Sequence, residues 1–185
     1  MGAMLQQDRC TQNDYVRLFA DSAEPLEWLC YTLTGDKALS EKVLSAAFEQ
    51  SLKGADRVFR DWMLSWARRL IVQACIRFMR PTGHSMEECM CPHHKGTGIR
   101  MSDQVELALN QPSEVLQQRL LHLDPLPRFV FVLRALEGYS RRETALLLGI
   151  GDRACESIYI GALEAVQPKL YVLKPAATGT QLVAI

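Results

Sequence analysis

The residues whose types and spacing suggest chemistry are Trp62, Trp66, Arg69, Gln73, Arg77 and Arg80, which follow one another at intervals of 4, 3, 4, 4 and 3. On a helix these intervals place all six on one narrow face. Flat rings, guanidinium groups and an amide on a single stripe suit a nucleic-acid strand. The rings stack on bases, the cations meet phosphates, and the amide reads a base edge. The same stripe also fits an ordinary surface helix, with two Trp at the margin of a core face and solvated Arg beyond them. The charge pattern favours the first reading. The 185-residue chain has zero formal net charge, yet residues 53–80 hold seven Lys/Arg against two Asp/Glu, and residues 1–52 hold four against eight. One basic segment in a neutral chain implies one polyanion-facing surface, not general affinity for polyanions.

The element that must carry this stripe is Val58–Arg80, which has no Gly or Pro and reads as one helix. Its apolar face comprises Met63, Ala67, Leu70, Ile71, Ala74 and Phe78. Before it, Asp14–Leu33 has helical periodicity, with Pro25 allowing a break into two helices. Thr34-Gly35-Asp36 is a stop, and Ser40 is a candidate cap for a helix to Leu52. After it, residues 81–112 are rich in turn formers and read as a linker. Helices are then expected from Ser113 to His122, from Pro125 to Leu136, from Ser140 to Gly149 and from Asp152 to Val166. The fold class expected is therefore all-α, with two small helical domains. These are residues 13–80 and 113–170, joined by the 81–112 linker and followed by a 171–185 tail that forms a short docking turn or no ordered structure.

The second domain contains the run Ser140-Arg-Arg-Glu-Thr-Ala-Leu-Leu-Leu-Gly-Ile-Gly-Asp-Arg-Ala-Cys-Glu-Ser-Ile. Small Ala145 permits close helix approach, Gly149 supplies a left-handed turn, and Ile150 plugs the interface. This is a helix-turn-helix pattern, although paired helices with a Gly turn also occur in non-binding bundles. The linker contains His84, Cys89, Cys91, His93 and His94. These are ligand types for zinc, but Cys89 and Cys91 are separated by one residue where the usual pair has two. No cofactor is expected. The chain has no P-loop, no Gly-Xaa-Ser-Xaa-Gly elbow and no His-Glu-Xaa-Xaa-His, so an enzyme is not expected either. No apolar run is long enough to span a bilayer, and the six Cys do not form a secreted framework. A cytoplasmic protein is the simplest expectation.

A helical basic module, a linker and a helix-turn-helix, taken in order, resemble the bacterial extracytoplasmic-function sigma factors, RNA polymerase specificity subunits of the sigma-70 family. Thr32-Leu-Thr-Gly-Asp and Glu41-Lys-Val-Leu-Ser-Ala-Ala-Phe resemble the helix that docks on the polymerase clamp. Phe59-Arg-Asp-Trp-Met-Leu-Ser-Trp-Ala-Arg-Arg-Leu resembles the helix that captures the melted −10 promoter strand. Leu126-Pro-Arg-Phe-Val-Phe-Val-Leu-Arg-Ala-Leu-Glu-Gly-Tyr-Ser-Arg-Arg-Glu-Thr-Ala resembles the start of the −35 module.

The resemblance implies core RNA polymerase and promoter DNA as partners, an anti-sigma factor as a further one, and no membrane. It implies polymerase contacts at Glu41, Val43, Leu44 and Phe48. For DNA it implies contacts at Trp62, Trp66, Arg69, Gln73, Arg77, Ser140, Arg141, Arg142, Arg153 and Ser157. The departures from the family pattern are specific. Lys42 stands where an acid is usual, Ser45 where Gln is usual, and Arg69 where Asn is usual. Glu156, Ile158 and Gly161 stand where the family carries cations. An acid facing phosphates repels them, so a second expectation stands beside the first: a sigma-like adaptor that works by protein contact without reading a promoter. A response regulator is disfavoured, because the first 80 residues show no βα pattern.

Overall fold

Thr11 begins the ordered helical structure by a reciprocal cap. Its hydroxyl accepts from Asp14 N at 3.3 Å, and Asp14 Oδ2 accepts from Thr11 N at 2.8 Å. In the computed structural model, which describes residues 9–79, 101–167, 170–172 and 182–184, the chain divides into two units, Met1–Thr82 and Gly83–Ile185. The first unit contains α1 (Gln12–Asp21), α2 (Ala23–Thr34), α3 (Lys37–Lys53) and α4 (Met63–Met79). The expected break near Pro25 is observed, at Ser22. Pro25 then falls in the first turn of α2, where its missing N–H has no intrahelical partner to lose.

Gly35 closes α2 with φ 69°, and Asp36 starts α3 by accepting from Leu39 N at 2.7 Å. Ser40 is therefore not the cap. It is buried one turn inside α3, where its hydroxyl bonds Asp36 O at 2.6 Å and Thr34 Oγ1 at 2.7 Å. α2, α3 and α4 pack together through Leu26, Leu29, Cys30, Leu33, Val43, Ala47, Ala67, Leu70, Ile71 and Cys75, all buried. A smaller cluster of Cys10, Tyr15, Ala55 and Val58 lies beside it, with Leu18, Phe19, Leu52 and Met63 packed on. Each fully buried Leu or Ile side chain contributes about 1.5–3 kcal/mol relative to exposure.

The helix expected over Val58–Arg80 is shorter than its pattern. Val58 and Phe59 are extended, a 3₁₀ turn spans Arg60–Trp62, and α4 begins at Met63. The cause is a long-range bond. Cys10 N donates to Val58 O at 2.9 Å, and Arg9 bridges Phe59 in antiparallel fashion. That carbonyl is engaged by a segment nearly fifty residues away, which local periodicity cannot register. Phe78, expected in the core, is exposed in the last turn of α4.

The second unit contains α5 (Met101–Leu109), α6 (Ser113–Leu121), α7 (Pro125–Phe131), α8 (Arg141–Leu148) and α9 (Asp152–Val166). α5 lies within the stretch expected to be linker. Its Ala108 is fully buried and α5 packs on α9. α7 runs into a π turn at Val132–Leu136, closed by Glu137 N to Val132 O at 3.0 Å, and Gly138 follows with φ 72°. Phe129, Val130, Phe131, Val132 and Leu133 are all fully buried, so this segment is wrapped on every side. Arg119 donates to the carbonyls of Val166 and Gln167, and Gln111 Nε2 donates to Val166 O at 3.2 Å, which together hold the end of α9.

Two short strands, β1 (Leu170–Val172) and β2 (Leu182–Ala184), pair antiparallel with Tyr171 opposite Val183. The tail thus adds a ribbon where a docking turn or no order was expected. The class remains all-α.

Candidate nucleic-acid interface

In the first unit, α4 divides its residues by face into buried and exposed. Ala67, Leu70, Ile71, Ala74 and Cys75 point into the core, while Trp66, Arg69, Gln73 and Arg77 are exposed on the opposite side. Trp62 sits in the 3₁₀ turn just before α4 and is 71 % exposed; Trp66 is 37 % exposed. The structure therefore presents all five described members of the stripe to solvent together. Arg80 lies outside the described residues, as do His84, Cys89, Cys91, His93 and His94.

Two further exposed aromatics in the first unit each lie against a cation. Phe59 is 49 % exposed, with the Arg9 guanidinium 5.9 Å from its ring centroid. Phe78 is 46 % exposed, with the Arg77 guanidinium 5.3 Å from its centroid. Both contacts lie in the cation–π range. For Phe59 the turn residues gave no signal, because its exposure follows from the bridge to Arg9. Phe78 fits the apolar period, and only the end of the packed section leaves it in solvent.

The residues expected to meet a polymerase separate into three kinds. Glu41 is exposed on α3. Leu44 and Phe48 are half-buried, and Phe48 meets the Phe19 ring edge-on at 5.1 Å. Val43 is fully buried, which corrects its assignment as a contact. A side chain sealed in the core reaches no partner without opening the fold, so Val43 serves packing.

In the second unit the expected helix-turn-helix is present. Ser140 caps α8, accepting from Glu143 N at 3.2 Å while Glu143 Oε2 accepts from Ser140 N at 2.8 Å. Gly149 is left-handed at φ 69°, and Ile150 N donates to Ala145 O at 3.0 Å. Ala145 is buried and Ile150 is half-buried between the helices. The hydroxyl of Ser140 is thus occupied by its cap. Arg141 is exposed but lies 3.6 Å from Asp152, and Arg142 and Arg153 are exposed. Ser157 is half-buried.

The sequence alone treats Glu156 as a bare acid, and the structure corrects this. Its Oε2 accepts from Arg134 Nη1 at 2.6 Å, and the Arg134 guanidinium lies 4.1 Å from the centroid of the Tyr159 ring. Even so, the outward side of α9 carries Asp152, Glu156 and Glu164 against Arg153. Leu146 on α8 is 74 % exposed. The buried thiol of Cys155 donates to Arg141 O at 3.7 Å, and desolvation raises its pKa. No helix among the described residues is long and apolar enough to cross a membrane.

Residues 113–159 match the family model described as Sigma-70, region 4. The matched stretch takes in α6, α7, α8 and the first half of α9, and so includes the turn at Gly149. It supports a sigma-70-type second module and a sigma-factor-like role in transcription initiation. No curated protein matches the chain.

Proposed function

We propose that this chain is a transcription initiation factor of the extracytoplasmic-function sigma type, which binds bacterial core RNA polymerase and directs it to promoter DNA. The observation that carries this reading is the coincidence of the region 4 match at 113–159 with a folded helix-turn-helix. The exposed stripe of α4 supplies the complementary part in the first unit. Strand capture explains why rings and cations share a face, since a base drawn out of the duplex stack needs a new π surface. Trp62 and Trp66 would stack, Arg69 and Arg77 would meet phosphates, and Gln73 would read a base edge. Arg141, Arg142 and Arg153 are the cations available to upstream duplex. Glu41, Leu44 and Phe48 are the candidate polymerase contacts. In this reading the chain is cytoplasmic, needs no cofactor and is not an enzyme, and the chemistry of RNA synthesis is the polymerase's.

The test is association with purified core polymerase by size-exclusion chromatography, with a housekeeping sigma factor as competitor. Co-elution that the competitor removes supports the reading. A well-folded chain that never co-elutes refutes it.

The acidic balance of α9 favours a second reading, an adaptor that acts through protein contact without reading a promoter. Anisotropy with promoter-like duplexes at two salt concentrations separates the two. Phosphate contacts strengthen as salt falls, so binding that grows at low salt indicates DNA, and no binding at either salt indicates the adaptor.

A further inference from the structure

Residues 9–14 are polar by sequence except at Cys10, yet they grip the turn that displays the stripe's first aromatics. Arg9 bridges Phe59 through the backbone, Cys10 N donates to Val58 O at 2.9 Å, and Arg9 Nη1 donates to Asp56 O at 2.9 Å. Gln12 Nε2 reaches Leu52 O at 3.5 Å, and Arg60 lies 3.5 Å from Asp14. The Arg9 side chain is thus fixed at two points, by the Asp56 carbonyl and by the Phe59 ring. It is nevertheless exposed. A guanidinium has five N–H donors, and this carbonyl accepts one of them. A cation already held in place loses less conformational freedom when it meets a ligand. The Asp14 carboxylate in this corner is engaged by Thr11 and Arg60.

We propose that Arg9 is a phosphate-binding residue of the strand surface, placed against the Phe59 ring in the turn that leads into Trp62, at the end of the stripe opposite Arg77. The proposal rests on the strand reading of α4 and adds to it a cation from a distant part of the sequence. The ligand chemistry is a single-stranded nucleic-acid backbone, whose bases lie over the exposed rings while one phosphate meets Arg9.

The experiment is fluorescence anisotropy of the full chain with a labelled thymidine 12-mer across a salt series, for the unaltered chain, Arg9→Ala, Arg9→Lys and Trp66→Ala. A lost phosphate contact reduces the slope of log K against log salt by about 0.7. The expected result is that Arg9→Ala weakens binding about three- to tenfold at low salt and shows that slope change, while Arg9→Lys keeps the slope. If Trp66→Ala weakens binding but Arg9→Ala changes neither affinity nor slope, the Arg9 proposal fails and the strand reading stands. If Arg9→Ala lowers affinity with the slope unchanged, Arg9 acts only by bracing the loop, and the proposal is overturned. If Trp66→Ala binds as tightly as the unaltered chain, the strand reading fails and takes the proposal with it. Should Arg9→Ala lose its helical circular dichroism, Arg9→Gln, which can retain the bond to Asp56 O, replaces it under the same criteria.

Discussion

Glu156 accepts from Arg134 at 2.6 Å across the gap between α9 and the π turn that follows α7, and Arg134 in turn covers the Tyr159 ring. The carboxylate of Glu156 is therefore part of an internal brace. Replacing Arg134 by Ala removes a charge-assisted hydrogen bond and a cation–π contact and leaves the carboxylate without this partner. A loss of about 2 kcal/mol in urea unfolding is expected. Glu156→Lys sets two cations side by side. It should lower stability by a similar amount and, if the outward side of α9 faces DNA, raise affinity for duplex DNA at low salt; the two measurements separate the effects.

Gly161 offers a cleaner way to change the same helix. A Cβ built there meets nothing within 4 Å, and the backbone is helical. Gly161→Arg should keep or raise stability, by up to about 1 kcal/mol from helix propensity. It should also strengthen duplex binding at low salt if the outward side of α9 faces DNA. Unchanged binding with intact stability would point to the adaptor reading.

The stripe of α4 separates stability from binding. Trp62 is mostly in solvent, so Trp62→Ala should change the unfolding free energy in urea by no more than about 0.5 kcal/mol. It should weaken single-strand binding by about 1–3 kcal/mol. Val43→Ala, by contrast, should cost about 1–2 kcal/mol of stability through its buried site and leave the binding of polymerase by the folded fraction unchanged.

Cys30 and Cys75 are fully buried between helices of the first unit, and desolvation raises both thiols, Cys30 to about 12 from 9.0. The native state prefers the neutral form, so the unfolded state releases these protons first. The stabilisation is complete below pH 9 and is lost as pH rises from 9 towards 12. A urea midpoint that falls between pH 8.5 and 10.5, and falls less in Cys30→Ala, is the expected result. Thiol reagents at pH 8 should label both residues at the unfolding rate.

The elements of this molecule were legible where the signal was local. Ser140 announces a cap, Gly149 a left-handed turn, and the limits of α9 follow from Asp152 and the end of its period. The stripe of α4 was legible for the same reason, since spacing on one helix fixes a face. What stayed hidden depends on residues far apart in sequence. Val58 leaves the helix because Cys10 takes its carbonyl, and Glu156 is matched by a cation 22 residues away. Val43 has the right type for a docking contact, and only the packing of three helices shows that it faces inward. The cap of α3 moved from Ser40 to Asp36 because two capping residues compete within one turn, and burial decides between them.

The hold of α5 and Gln111 on α9 has a consequence for how this protein is divided. The stretch that matches the family model begins at residue 113, whereas α5, which packs on α9, lies upstream of it at Met101–Leu109. Gln111 joins Ala108 O to Val166 O, so the last turn of α9 leans on residues upstream of the shared stretch. The stretch that the family model covers is thus shorter than the set of helices packed around α9. A graft of residues 113–159 into another scaffold would carry the helix-turn-helix without α5 and without the last turn of α9, and the host would have to supply that support.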